Sequence, residues 1–186
     1  TPAPLSESVL IVVDAQNTYL DGPLRLAEVE AALDECAALL ARARTVGAPV
    51  IHIQHDSGPG SLFDIRAEIG AIAARVAPVE GEAVVVKRLA NGFVGTELEA
   101  RLKALGEVRQ LVICGFMTHN CVNSTARGAV NLGWPVCVPA AATATRALPS
   151  PEGGVVPAAE IQRGNLAGLS DAFALVVANG AAIADA

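Results

Sequence analysis

Three residues whose types can together run acyl-transfer chemistry, Asp14, Lys87 and Cys121, each stand at or just beyond the end of an apolar run. Cys121 falls in the segment LVICGFMTHNCV, residues 111–122, which reads as a buried strand passing through a glycine turn into a helix start. A thiol at that point faces free backbone N–H groups and the positive end of the helix dipole. Both lower its pKa, and the thiolate is the nucleophile. The same N–H groups could hold a developing oxyanion. The plain alternative is an inert buried cysteine. Lys87 closes the run Ala83-Val84-Val85-Val86, where a lysine can be no more than the first solvated residue. Asp14 closes Val9-Leu10-Ile11-Val12-Val13, where an Asp commonly caps a helix or forms a turn. Singly each is bland. Together they put an acid, an amine and a thiol at the C-terminal ends of three strands, and in open parallel sheets those ends line the ligand crevice.

The elements that must position them alternate. Strands are expected over residues 8–13, 50–54, 83–87, 110–114, 135–138 and 173–177. Between them, Leu26, Val29, Leu33, Cys36, Leu39, Leu40 and Ala43 recur at helical spacing and predict a helix over 24–46, stopped by Gly47. Further helices are expected over 63–76, from a capping box at Thr96–Glu99 to Leu105, over 120–132 with Gly133 as its stop, and over 157–169. The 143–157 stretch, rich in Pro and Gly, reads as loop. Alternating βα units of this length predict a parallel sheet with helices on both faces, in one domain over residues 1–186.

Composition narrows the function classes. A formal net charge of −6 with no basic run argues against nucleic acid and an anionic membrane surface. No apolar stretch is long enough to span a bilayer, and TPAPLSES at the N-terminus lacks the regions of a signal peptide. Cys36, Cys114, Cys121 and Cys137 show neither disulfide nor metal spacing. The first, second and fourth read as core, a usage that fits a reducing cytoplasm.

Asp14, Lys87 and the stretch Gly115-Phe116-Met117-Thr118-His119-Asn120-Cys121-Val122 resemble the isochorismatase-like cysteine hydrolases. The resemblance runs on through Asn91-Gly92-Phe93-Val94-Gly95-Thr96, Ser124-Thr125-Ala126-Arg127 and Leu132-Gly133-Trp134 to Ala142-Thr143. It implies a three-layer α/β/α sandwich with a six-stranded parallel sheet, and hydrolysis of C–N bonds in amides or carbamoyl compounds without a cofactor. Carried over residue by residue, Cys121 is the nucleophile and Asp14 the proton acceptor and donor, while Lys87 keeps Asp14 ionised. A non-proline cis peptide is expected at Phe116–Met117, aiming the N–H groups of Met117 and Cys121 at the oxyanion.

The resemblance also has gaps. Relatives that hydrolyse nicotinamide bind a metal through an Asp-x-His and a later His after the second strand. Here His52-Ile53-Gln54-His55-Asp56 breaks that pattern, so no metal is expected. His52 reads as a hydrogen-bonded core histidine. His55, Gln16, Phe93, Thr118 and Asn120 are candidates for lining the substrate pocket, with core packing the alternative for Phe93. The role of His119 is open. Trp134 reads as packing and Arg127 as a surface or subunit contact. The loops 16–23, 57–63 and 144–155 are expected to shape the pocket. Two other readings compete: a vinyl-ether hydrolase of the isochorismate type, which needs no thiol, and a non-enzymatic redox or binding module built on a reactive cysteine. The 52% hydrophobic content against 17% charged predicts an apolar patch and hence a homodimer or homotetramer.

Overall fold

The computed structural model describes residues 1–186. Its spine is a parallel sheet of β1 (Ser8–Val13), β2 (Val50–His55), β3 (Ala83–Lys87), β4 (Gln110–Phe116), β5 (Val136–Pro139) and β9 (Leu175–Val177), ordered β3-β2-β1-β4-β5-β9. A seventh strand, β6 (Thr143–Ala144), adds to the end of β4, and β7 (Leu148–Pro149) pairs with β8 (Val155–Val156) as a separate antiparallel hairpin. The expected six strands are therefore present with one short addition, and the 143–157 stretch is not plain loop. Strand order reverses between β1 and β4. That is the switch point beside which such sheets open a crevice.

The central strands β1 and β4 are buried along their whole length. Their side chains alternate between two cores, as the two-residue period of a strand requires. Leu10, Val12, Val112, Cys114 and Phe116 pack towards α1 (Val29–Thr45). Val9, Ile11, Val13, Leu111 and Ile113 pack towards α2 (Leu98–Ala104) and α3 (Asn123–Asn131). The last helix, α4 (Ala158–Ala172), buries only Leu169. Three of the four cysteines, Cys36, Cys114 and Cys137, are core residues, and all four are free thiols.

Three expectations need correction. The helix expected over 63–76 does not form; two single 3-10 turns, Glu68–Gly70 and Ala74–Val76, stand there instead. The reason is competition for its backbone. Gly70 O accepts from the Gln16 side chain, Ala71 O from Asn17 N, and Ala73 N donates to Ala15 O, so the segment bonds to the loop after β1 rather than to itself. α1 begins at Val29, five residues later than expected, after a Glu28 with φ of 53°. At α2 the Thr96 hydroxyl donates to Gly92 O (2.5 Å) and accepts from Leu98 N (3.2 Å), so it ties the helix to the preceding turn and makes no capping box.

Candidate active site

The end of β1 delivers Asp14. Its backbone turns through φ of 45°, a left-handed conformation that Asp tolerates better than most residues, and its N–H reaches Ile53 O at 2.9 Å. Gly115, paired with Val13 in the β1–β4 register, has φ of 107°. A Cβ there would stand 2.0 Å from Val13 O, so only glycine lets β4 pass this close to β1. Beyond it the Phe116–Met117 peptide is cis, and one π-helical turn, Thr118–Val122, leads into α3 and carries Cys121. β3 ends on Lys87, which is in register with His55 of β2. The turn after β3 is anchored to α3 through Gly92 N to Thr125 Oγ1 at 3.0 Å.

These elements converge on one atom. Lys87 Nζ lies 2.7 Å from Asp14 Oδ2, 2.9 Å from His55 Nδ1 and 3.2 Å from Cys121 Sγ. The lysine and aspartate side chains are fully buried, and Cys121 is 5% exposed. An ammonium only donates, so His55 Nδ1 must accept. That fixes the neutral imidazole with its proton on Nε2, which then donates to Ser57 Oγ at 3.0 Å. A carboxylate oxygen of Asp14, a ring nitrogen of His55 and the Cys121 sulfur lie within 4.8 Å of one another, a set that could ligate a metal ion. The lysine ammonium stands among them as the resident cation.

The electrostatics correct one expectation. Burial, reinforced by the neighbouring Asp14 carboxylate, pushes the Cys121 thiol up to about 12, and Lys87 only partly opposes this. The helix-terminus argument for a low pKa fails because desolvation of the thiolate outweighs it. The resting nucleophile is a thiol that must hand its proton on. Burial likewise raises the Asp14 carboxyl above 3.8, with the Lys87 ammonium pulling it back down. Burial and then Lys87 hold His55 down at about 4.

The remaining candidates divide. Gln16 is fully buried and spends its side chain on His55 O, Gly70 O and His55 N (3.0, 2.7 and 2.8 Å), so it positions His55 and has nothing left for a substrate. Thr118 is fully buried too, its hydroxyl unpartnered, and cannot line an open pocket. Phe93 stacks on Trp134 at 5.8 Å against the α3-side core, the packing alternative. Asn120 is exposed beside the nucleophile. The Met117 N–H donates to no acceptor in the protein. His119 Nδ1 meets Thr145 Oγ1 at 2.5 Å. His52 is a core histidine bonded to Glu82 at 2.8 Å. Arg127 is an internal contact, its guanidinium 3.9 Å from the Phe173 ring centroid.

Sequence reasoning missed the wall of the site. Tyr19 packs edge-on against Phe63 (5.5 Å) and Phe116 (5.9 Å), and Phe63 against His55 (5.1 Å). Tyr19 and Phe63 lie in loops expected to shape the pocket, but only strand register could show that His55 faces Lys87. A cavity of 630 Å³ lies to one side: Ala32, Ala141, Thr145, Gln162 and Arg163 line it, and none of Asp14, Lys87 or Cys121 does.

Known proteins resemble this chain in sequence and in fold. Residues 8–177 match the Isochorismatase domain. A secreted isochorismatase effector of Verticillium dahliae is 34% identical over 95% of this chain and 90% of its own length. A streptothricin hydrolase of Streptomyces noursei is 40% identical over 76% of this chain and 51% of its own. The crystal structure of an isochorismatase from Pseudomonas putida KT2440 superposes with a TM-score of 0.93 at 40% identity, covering 98% of this chain and 93% of that one. With its sheet order, its cis turn and its buried Asp–Lys–Cys cluster, the chain belongs to the isochorismatase family of hydrolases.

Proposed function

We propose that the protein hydrolyses the C–N bond of a small amide, lactam or carbamoyl compound through a thioester on Cys121. The observation that carries this is the placement of Lys87 Nζ between Asp14 Oδ2 and Cys121 Sγ, at 2.7 and 3.2 Å, in a nearly closed site. Asp14 takes the thiol proton as Sγ attacks the substrate carbonyl carbon. Lys87 stays cationic and stabilises the sulfur as charge develops on it. The carbonyl oxygen, now an oxyanion, takes hydrogen bonds from the N–H groups of Met117 and Cys121. The tetrahedral intermediate collapses with cleavage of the C–N bond, and Asp14 returns the proton to the leaving nitrogen. Water then attacks the thioester, with Asp14 accepting its proton; the acid leaves and the thiol is restored.

A thiol held at about 12 and 5% exposed favours this over a redox-sensing module, which needs an accessible thiolate. A vinyl-ether hydrolase would leave Cys121 without a task. The relatives named for hydrolysing streptothricin and ureidoacrylate support amide chemistry, and the free thiols fit a reducing cytoplasm, although one relative is named as secreted. The test is a turnover screen, by ammonia release for small primary amides, ureas and carbamoyl compounds and by appearance of the ring-opened amino acid for lactams, with Cys121→Ala as the blank. Turnover of one class by wild type alone is expected. Release of pyruvate from isochorismate, undiminished in Cys121→Ala, would overturn the proposal.

A further inference from the structure

Three acceptors in the active site converge on one point, and that point holds a cation. The Lys87 ammonium donates to His55 Nδ1 at 2.9 Å and to Cys121 Sγ at 3.2 Å, and it lies 2.7 Å from Asp14 Oδ2. An oxygen, a nitrogen and a sulfur thus face the same place, with ligand atoms within 4.8 Å of one another. Borderline and soft metal ions take such a mixed donor set, whereas magnesium and calcium prefer oxygen alone. Zinc bonds of about 2.0 to 2.3 Å set tetrahedral ligands roughly 3.5 Å apart, so side-chain shifts of about 1 Å would close the three groups on the ion.

Two of the three groups are already prepared as ligands. Asp14 is wholly buried and its Oδ1 has no hydrogen-bond partner, so the carboxylate keeps unspent lone pairs inside the protein. His55 Nδ1 carries no proton, because it accepts from Lys87, and the Nε2–H donates to Ser57 Oγ at 3.0 Å. A metal-bound histidine makes this same second bond, which fixes its ring and its tautomer. The three ligands come from the end of β1, the end of β2 and the turn before α3. The set therefore owes nothing to the Asp-x-His spacing that this chain lacks.

We propose that Asp14, His55 and Cys121 form an inhibitory site for a thiophilic divalent cation, zinc above all, and that the Lys87 ammonium fills this site at rest. A divalent ion and the ammonium cannot share the space, so zinc binds by displacing the ammonium. The Zn–S bond forms as the Cys121 thiol proton passes to solvent, and nothing is oxidised or reduced. The bound ion ties up the sulfur and the carboxylate together. That this stops turnover rests on Cys121 as the nucleophile and Asp14 as its base; the binding itself does not. Lys87 then has a second task, which is to keep a thiol, imidazole and carboxylate cluster free of metal.

Zinc chloride is the probe and magnesium chloride the hard-cation control, in a buffer free of added thiols. Iodoacetamide labelling of Cys121 at pH 8, read by mass mapping, reports binding, because a metal-bound sulfur is not free to form the S–C bond as iodide leaves. Zinc, and not magnesium, is expected to slow the labelling of wild type. His55→Asn keeps an acceptor for Lys87 and removes the imidazole; the same protection should then need about tenfold more zinc or above. Equilibrium dialysis followed by elemental analysis should show Lys87→Met binding one zinc per chain at least about tenfold more tightly than wild type. Cys121→Ala, dialysed in the same way, should lose the ion. The site is overturned by unprotected wild type, by equal protection of wild type and His55→Asn, by Lys87→Met binding no tighter than wild type, or by zinc retained in Cys121→Ala. Zinc that blocks labelling yet leaves turnover intact overturns Cys121 as the nucleophile, and with it the inhibition, while the metal site remains.

Discussion

Replacing Lys87 with methionine keeps the buried stem and removes the charge from three facing groups. Asp14, fully buried, then has two ways to respond. If it stays ionised it forfeits the attraction of a cation 2.7 Å away, about 6 kcal/mol at an effective dielectric of 20. If it takes a proton, the cost at pH 7 relative to an ordinary carboxyl of 3.8 is about 4 kcal/mol. Protonation is the cheaper response, so the variant folds with Asp14 neutral. A carboxyl whose folded pKa is raised contributes stability that is fully present below its unfolded value and is lost as pH rises through the folded one. Lys87→Met should therefore lose stability relative to wild type as pH rises, by up to about 3 kcal/mol between pH 4.5 and 7, measured by urea unfolding at both pH values. A neutral Asp14 can no longer accept the thiol proton. Turnover, and iodoacetamide alkylation of Cys121 at pH 7, should each fall by about a hundredfold or more. A stability difference that does not vary with pH, or a variant keeping more than about a tenth of the activity, would refute the electrostatic role of Lys87.

His55→Leu deletes the Nδ1 acceptor of Lys87 and should lower turnover about tenfold or more, 1.4 kcal/mol, with partial recovery in His55→Asn; equal activity of Leu and Asn variants would show that only packing matters. Limited alkylation should mark Cys121 alone, since Cys36, Cys114 and Cys137 have no exposure, and its rate should still be climbing above pH 9, where a thiolate of low pKa would have levelled off. Because the Lys87 ammonium occupies the space among Asp14, His55 and Cys121, the purified protein should hold no stoichiometric zinc or iron and should keep its activity after chelation; elemental analysis decides this. Light scattering should give a multiple of 18.9 kDa, because α4 buries only Leu169 and Val86, Val94 and Leu175 are exposed; a monomer mass would overturn the dimer or tetramer.

What the sequence made legible follows from how local each signal is. Apolar runs bounded by Asp14 and Lys87 mark strand ends directly, because a parallel strand covered on both faces must be continuously apolar and its first polar residue marks the exit. The pairing of those ends is not local. His55 reads as one more histidine until the β2–β3 register sets it against Lys87, and its place in the site is a consequence of sheet order rather than of its neighbours in the chain. The segment 63–76 fails for a related reason. Its composition permits a helix, but the buried Gln16 side chain, 54 residues before Gly70 in the chain, claims a carbonyl that a helix would use. The thiol of Cys121 is the sharpest case. Its position at a helix start is visible in the sequence and argues for a low pKa, yet the degree of burial decides the sign, and burial is a property of the whole fold. The consequence reaches the mechanism. A thiol that rests protonated beside a carboxylate and an ammonium keeps its nucleophile latent until a carbonyl arrives, so Asp14 must act in the same step that forms the S–C bond.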